Sequence, residues 1–137
     1  MRETLISLSY IYDGDFDKIY NHLKNNSSNY KNTKYLNDLK ENNLNATTII
    51  DDDYPDALRV LNKPPFVLFY QGDIKILNNE IYGVIGTRLP SSYGINICSR
   101  LITNLINRNI VIISGMARGI DSLVHRSCIK IMEKLLV

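Results

Sequence analysis

The sequence predicts an α/β protein in which a small helical segment precedes one half of a doubly wound parallel sheet. Twice in its second half, the chain runs from a short apolar strand through a turn of small residues into a long amphipathic helix. The segment between the two strands is long enough for a crossover helix, which makes them parallel neighbours. A length of 137 residues and a hydrophobic content of 45% suit about one globular domain with a buried core.

The first element predicted is a helical hairpin at residues 4–23. Apolar side chains recur there at helical spacing, and Asp13-Gly14-Asp15 interrupts them with a turn sequence. Residues 21–45 are rich in Asn, Lys and Ser and offer one short helical face, formed by Tyr35, Leu36 and Leu39. We therefore interpret residues 1–46 as a helical, Asn-rich segment and residues 47–137 as the sheet domain.

A strand, a short helix and a second strand are predicted next. The β-branched run at 47–50 favours a strand, and Pro55 suits the first turn of a short helix that Asp53 is placed to cap. Two prolines end this helix, and residues 66–70 form a compact strand before a Gln-Gly-Asp turn.

The two strand-turn-helix repeats follow. Buried strands are predicted at 81–85 and 110–114, turns at 86–90 and 115–119, and helices at 91–107 and 120–136. The first of these helices is expected to bury one apolar face, made of Ile95, Cys98, Leu101, Ile102, Leu105 and Ile106.

Both turns are candidate phosphate-binding sites. The first N–H groups of a helix lack intrahelical partners and lie at the positive end of its dipole, so anions bind there. Because the carboxyl ends of parallel strands lie along one edge of the sheet, the two turns are expected to share one polyanion.

The first turn and the start of the next helix contain a glycine that permits a sharp turn, hydroxyl donors, a guanidinium fork and a second glycine. These residues are Gly86, Thr87, Arg88, Ser91, Ser92 and Gly94. The alternative is that Arg88 is a surface residue beside a structural glycine.

The second turn repeats this arrangement, with Gly115 and Gly119 around Arg118, and its alternative is a tight structural turn with an exposed arginine. We interpret Asp121 as a favourable charge in the first turn of a helix rather than as a catalyst. His125 lies four residues later, where the two side chains are close enough for a hydrogen bond. No nucleophile is placed beside them, so we favour a structural or ligand-contacting histidine over acid-base catalysis.

Composition limits the other classes of function. The formal net charge is only +2, so any phosphate binding must be local. The two cysteines, Cys98 and Cys128, lack metal-ligand spacing and are expected to be buried thiols of a reduced cytoplasm. The chain has no long apolar run and no secretion signal, so a soluble, cytoplasmic protein without membrane contact is expected.

Cofactor motifs are absent from the sequence. Gly83 and Gly86 form only G-x-x-G, which is not the dinucleotide fingerprint, and no Gly-Lys-Ser/Thr ending of a P-loop is present. We therefore expect no nucleotide cofactor and no metal.

Three segments nevertheless resemble the DNA-processing protein A (DprA/Smf) family, in its order and spacing. They are YPDALRVLNKPPFVLFYQGD at 54–73, VIGTRLPSSYG at 84–94 and SGMARGIDSLVH at 114–125, and the resemblance covers about residues 48–131. Gly86, Thr87 and Arg88 match the family's phosphate-contacting loop, whereas Gly115, Arg118 and Gly119 match its second signature.

This resemblance implies a Rossmann-like domain that binds single-stranded DNA, forms homodimers and helps to load the recombinase RecA during natural transformation. It implies no enzymatic activity in that role. The competing hypothesis is a nucleotide-handling enzyme related to the lysine-decarboxylase-like phosphoribohydrolases, whose Pro-Gly-Gly-x-Gly-Thr loop this sequence lacks.

The resemblance stops at residues 132–137, where the family continues with a Gly-Lys-Thr-Ile signature and further strands. The codons AAT GGA AAA ACT ATT followed by G, read one base later, give ATG GAA AAA CTA TTG and encode Met-Glu-Lys-Leu-Leu, which is the sequence at 132–136. We hypothesise a frameshift that truncated a longer gene. Such a chain would leave residues 110–113 as an exposed sheet edge and dissolve poorly, and a remnant without activity is a third interpretation.

Overall fold

The fold is described from a computed structural model of the chain. The structure describes residues 1–25 and 34–135. Part of the Asn-rich segment and the last two residues of the 132–137 stretch lie outside this range.

The described helices and strands follow one another in nearly the predicted order. They are α1 (Arg2–Ile11), α2 (Phe16–Asn25), α3 (Lys34–Glu41), β1 (Asn45–Thr48), α4 (Asp56–Arg59), β2 (Val67–Tyr70), β3 (Ile81–Gly83), α5 (Ser92–Ile106), β4 (Val111–Ile113) and α6 (Ile120–Leu135). A short 3₁₀ helix at Ile74–Asn78 precedes β3. The α/β class predicted from the sequence is confirmed.

The chain divides into two compact units, one covering Met1–Lys75 and the other beginning at Ile76. The sequence placed this division after residue 46. The boundary lies later because β1 pairs with β2 in an antiparallel ladder, and helix α1 packs against both strands. Residues 47–75 therefore belong with the N-terminal helices.

The first unit contains the predicted helical hairpin. Helices α1 and α2 are joined by a turn in which Asp13 and Gly14 have positive φ angles of 52° and 71°. The core of the unit is formed by Leu5, Ile6, Tyr35 and Val67.

Asp53 does not cap helix α4. Pro55 occupies the N-cap position and makes no side-chain cap, whereas the Asp53 carboxylate accepts a hydrogen bond from the Thr47 hydroxyl. The cap prediction was wrong because that hydroxyl, which comes from β1, cannot be identified from the local sequence.

The second unit is the parallel pair predicted from the two repeats. Strands β3 and β4 align Ile81 with Val111 and Gly83 with Ile113. Helices α5 and α6 pack against each other. They also pack against Val84, which follows β3, and Ile112, which lies in β4. The resulting core contains Cys98, Ile102, Ile120 and Val124, with Val84 and Ile112 against it.

The strands of this unit are shorter and more exposed than predicted. Among the described residues, β3 and β4 have only each other as ladder partners, and the helices cover one face. Side chains of a strand point alternately to the two faces. Ile112 therefore packs against the helices, whereas Ile113 is exposed.

Helix α5 buries a narrower face than predicted. Cys98, Ile102 and Leu105 are buried, and Ile106 packs against the core. Ile95 and Leu101 are exposed, because the core touches only one stripe of the helix.

Candidate functional site

The candidate site is formed by the two turns of the second unit. The first turn (residues 86–90) follows β3, and the second turn (residues 115–119) follows β4. Because the strands are parallel, both turns lie at the carboxyl-terminal edge of the sheet. The structure thus confirms the prediction that the two turns lie along one edge of the sheet.

The two turns contact each other through their backbones. The N–H of Ile120, which begins α6, donates to the carbonyl of Thr87 at 3.1 Å. Gly119 has a φ of +83°, and a Cβ atom there would lie 2.3 Å from the Thr87 oxygen and 2.7 Å from the Cα of Arg88. Only glycine satisfies both conditions, so Gly119 lets the two turns form one surface.

Gly86 has a different role from the one predicted. Its φ lies outside the left-handed region, so the turn itself does not require glycine. A Cβ at Gly86 would, however, lie 2.7 Å from Cγ1 of Ile120. The glycine is required because α6 begins directly against the first turn.

The second turn is held by two side chains of α6. The imidazole Nε2 of His125 donates to the carbonyl of Gly115 at 2.7 Å, since a carbonyl oxygen only accepts. The hydroxyl of Ser122 donates to the Ala117 carbonyl, also at 2.7 Å. These bonds fix two of the turn's carbonyl groups.

The pairing of Asp121 with His125 that their spacing allows does not form among the described residues. His125 bonds to Gly115 instead, which supports the structural interpretation of this histidine. Asp121 lies in the first turn of α6 with 7% of its surface exposed, and a Cβ at Gly115 would lie 2.7 Å from its carboxylate. Gly115 therefore gives the carboxylate room beneath the second turn.

The predicted hydroxyl donors act mainly as local acceptors. The hydroxyl oxygen of Ser91 accepts from the N–H of Gly94 at 3.2 Å and caps α5. The hydroxyl oxygen of Thr87 accepts from the N–H of Leu89, also at 3.2 Å. A hydroxyl that accepts still has its own hydrogen to donate. Ser92, the first residue of α5, is exposed.

Both arginines of the site are exposed. Within residues 1–25 and 34–135, the side chains of Arg88 and Arg118 make no ion pair or hydrogen bond. By contrast, Arg2 and Arg59 of the first unit pair with Asp51 and Asp56. The guanidinium groups of the site are therefore available to an external anion.

The sequence interpretation missed three apolar residues around these turns. Leu89, Tyr93 and Met116 are exposed. Turns consist mainly of Gly, Pro, Asn, Asp and Ser. A leucine and a methionine in these turns could therefore have indicated exposed apolar side chains.

The remaining predictions concern thiols, metals and membranes. Cys98 is buried as predicted, whereas Cys128 is half-buried. Both are free, and burial raises the pKa of both thiols. In the part of the chain that the structure describes, no three metal-ligating side chains come together. None of the helices described there has the length and apolar character that crossing a bilayer requires.

Comparison with known proteins finds one family. The model of the DNA recombination-mediator protein A family matches residues 45–136. DNA processing protein DprA of Bacillus subtilis is 36% identical over 92 residues, which cover 66% of this chain and 31% of that protein. The Streptococcus pneumoniae protein of the same name is 35% identical over 83 residues, which cover 61% of this chain and 29% of that protein. The chain thus spans less than a third of the length of these relatives.

Two solved structures resemble the fold. The X-ray structure of DNA processing protein A from Streptococcus pneumoniae has a TM-score of 0.60 and 26% identity, and the match covers 83% of this chain and 36% of that chain. A structure that concerns the single-stranded DNA binding mode of DNA processing protein A from Helicobacter pylori has a TM-score of 0.53 and 31% identity. That match covers 60% of this chain and 38% of the other.

Proposed function

Because the chain belongs to the DNA recombination-mediator protein A family, we propose that the surface formed by its two turns binds the sugar-phosphate backbone of single-stranded DNA. The observation that carries this proposal is the presence of two exposed guanidinium groups, unpaired within residues 1–25 and 34–135, on turns that touch each other. The similar Helicobacter pylori protein, whose structure concerns single-stranded DNA binding, supports the choice of ligand.

Charge at the site also favours an anionic ligand. Residues 86–91 and 115–119 contain two arginines and no acidic side chain, so their charges outnumber that of the Asp121 carboxylate beneath the second turn. The overall charge of +2 provides almost no general attraction for DNA. Binding therefore depends on local charges, and the arginines of the two turns supply two of them.

Each site residue has a role in this proposal. Arg88 is the principal phosphate contact, because a guanidinium group binds phosphate oxygens with two parallel hydrogen bonds, and Arg118 binds a neighbouring phosphate. Hydroxyl hydrogens donate to the same backbone from Thr87, Ser91 and Ser92. The glycines of the two turns shape this surface, because a Cβ atom at any of them would overlap another part of the second unit. They are Gly86, Gly115 and Gly119.

The wider role that we propose follows from the family. The protein binds a strand in the cytoplasm and helps to deliver it to the recombinase RecA during natural transformation, as a homodimer and without catalysing a reaction on the DNA. Stimulation of RecA filament assembly on oligo-dT by the purified chain is the expected result. No stimulation by a chain that binds the oligonucleotide would limit its role to DNA binding.

The binding experiment uses fluorescence anisotropy of labelled oligo-dT at a series of salt concentrations. Arg88→Ala should weaken binding about tenfold at low salt, and it should reduce the salt dependence by about 0.7 in log K per log salt, because one phosphate contact is lost.

The matched control is Arg108→Ala. Arg108 is exposed and lies between α5 and β4, at the opposite edge of the sheet, so the variant loses the same charge away from the site. Equal affinities of the Arg88→Ala and Arg108→Ala variants would show that the turns are not the binding site. Failure of the unmodified chain to bind oligo-dT would refute the proposed function itself.

A further inference from the structure

Large apolar side chains are exposed on the two turns and in the first turn of α5, at positions close in the chain to the two arginines. The exposed fraction is 91% for Leu89, 90% for Met116 and 75% for Tyr93. None of the three belongs to the core of the second unit. They therefore do not hold this unit together in the described structure.

The positions of these residues are tied to the phosphate-binding surface. Leu89 is adjacent to Arg88, and the Cα atom of Arg88 packs closely against Gly119 of the second turn. Met116 lies three residues before that glycine. Chain geometry thus keeps the Cα atoms of Leu89 and Met116 within about 20 Å of each other. Tyr93 lies in the first turn of α5, two residues after its cap. This spacing suits a stretch of a few nucleotides.

Single-stranded DNA exposes the faces of its bases to such a surface, whereas a duplex buries them in its base stack. The bases of the single strand are unstacked and expose apolar faces, which pack against aromatic and aliphatic side chains, whereas its phosphates attract guanidinium groups. A duplex offers the same phosphates but keeps its base faces within the stack. Apolar contacts beside the arginines would therefore discriminate between the two forms of DNA.

We propose that Leu89, Tyr93 and Met116 contact unpaired bases and give the site its preference for single-stranded over double-stranded DNA. This inference rests on the proposed function, in which Arg88 and Arg118 bind the phosphates. Tyr93 stacks on a base with its ring, and Leu89 and Met116 pack against the bases on either side. The arginines bind both forms of DNA, and the apolar contacts select the single strand.

The first test compares three ligands of equal length, namely oligo-dT, an abasic oligonucleotide with the same backbone, and a duplex. The unmodified chain should bind oligo-dT about tenfold more tightly than the abasic strand. The double variant Leu89→Ser with Met116→Ser should lose part of this difference and bind oligo-dT about twofold more weakly than the unmodified chain. Its affinity for the abasic strand and its salt dependence should be unchanged, since both arginines remain.

Two further variants separate base contact from changes in folding. Tyr93→Phe keeps the ring and should bind oligo-dT normally, whereas Tyr93→Ser should bind it about fivefold more weakly. The matched control is Val60→Ser, which changes an apolar residue of the first unit that is 84% exposed. This control should bind all three ligands as the unmodified chain does.

A fluorescent reporter makes the contact directly visible. The chain contains no tryptophan, so Tyr93→Trp introduces a single indole. Its emission should be quenched by oligo-dT and not by the abasic strand, since only a base stacks on the ring. Equal quenching by both ligands would overturn the role of position 93.

The outcomes distinguish this inference from the proposed function. If the unmodified chain binds oligo-dT and the abasic strand equally, the base contacts are refuted while phosphate binding stands. If it binds neither, the proposed function fails as well. If the serine variants abolish self-association but leave the preference for oligo-dT intact, the apolar residues contact a second copy of the chain and the inference is wrong.

Discussion

The backbone N–H of Ile120 donates to the carbonyl of Thr87 at 3.1 Å, and this bond joins the two turns at the carboxyl-terminal edge of the sheet. It also uses one of the N–H groups at the start of α6 that would otherwise be open to an anion. The Ser91 hydroxyl occupies the N–H of Gly94 in α5 in the same way. In the proposed site, exposed guanidinium groups are therefore more important for binding a phosphate than helix termini are.

Substitution of Gly119 should disrupt this junction. Gly119→Ala combines a residue in the left-handed region with overlap between its Cβ and the backbone of Thr87 and Arg88. We expect the free energy of unfolding of the second unit to fall by about 3 to 5 kcal/mol. Gly72→Ala is the control, because Gly72 has a φ of +89° with open space around it and should lose only about 1 kcal/mol. Similar losses in urea unfolding would mean that the turns do not pack closely.

Gly86→Ala should loosen the start of α6. The added methyl group overlaps the side chain of Ile120, which has to shift, and this should reduce the free energy of unfolding by about 1 to 3 kcal/mol. Gly83→Ala places a methyl group in open space three residues earlier and should be neutral or slightly stabilising. Thermal unfolding followed by circular dichroism compares the two, and equal stability would contradict the contact with Ile120.

The hydrogen bond from His125 to the Gly115 carbonyl should be replaceable by another side-chain donor at position 125. His125→Leu removes the hydrogen bond to the Gly115 carbonyl and should cost about 1 kcal/mol of stability. His125→Gln places an amide donor near the same point and should recover much of the loss. Protection of the second turn from hydrogen exchange should be highest in the unmodified chain, lower in His125→Gln and lowest in His125→Leu. A glutamine variant as mobile as the leucine variant would show that hydrogen bonding does not hold the turn.

Ser91 allows capping to be separated from DNA binding. Ser91→Ala should destabilise α5 by about 1 kcal/mol because the cap on Gly94 is lost. Ser91→Asp keeps a capping oxygen and its charge is favourable at a helix N-terminus, so stability should be retained. The added negative charge lies three residues from Arg88, so oligo-dT binding should still weaken. Normal binding by a stable Ser91→Asp variant would place the phosphate elsewhere.

Acid should destabilise the first unit through Asp51. Burial opposes ionisation of this carboxyl, but bonds from the Thr48 N–H at 2.9 Å and the Arg2 side chain at 2.8 Å outweigh it, so the pKa of Asp51 lies below its usual value. A lowered pKa in the folded state stabilises the unit above the unfolded pKa of about 3.9, and this contribution is lost as the pH falls through the folded value.

The measurement for this prediction is the urea midpoint of the first unit between pH 7 and pH 2.5. Asp51→Asn should be less stable than the unmodified chain at pH 7, and the difference should shrink at the acid end. Asp52→Asn, which changes the exposed neighbour, is the control. A constant difference between Asp51→Asn and the unmodified chain across this range would contradict the assignment.

The helices and strands could be predicted because their signals are local. The hairpin turn at Gly14 and the start of α5 after Ser91 each depend on residues within a few positions in the chain. The position of both turns behind parallel strands follows from the length of the crossover between them.

Contacts between distant residues could not be predicted in this way. The carbonyl of Gly115 is ten residues from His125, and the contact of Gly86 with Ile120 spans 34 positions. No periodicity encodes such contacts. The division into compact units after Lys75 could not be predicted for the same reason, because β1 pairs with a strand that follows it by about 20 residues.

The sequence by itself therefore determined the order of the elements, the parallel pairing and the presence of an arginine in each turn, since these depend on spacing and composition along the chain. Only the tertiary structure decided that Gly119 joins the turns, that Arg88 and Arg118 have no side-chain partner among the described residues, and that Leu89 and Met116 are exposed beside them. Exposure and contact are properties of surfaces that exist only once distant segments have packed together.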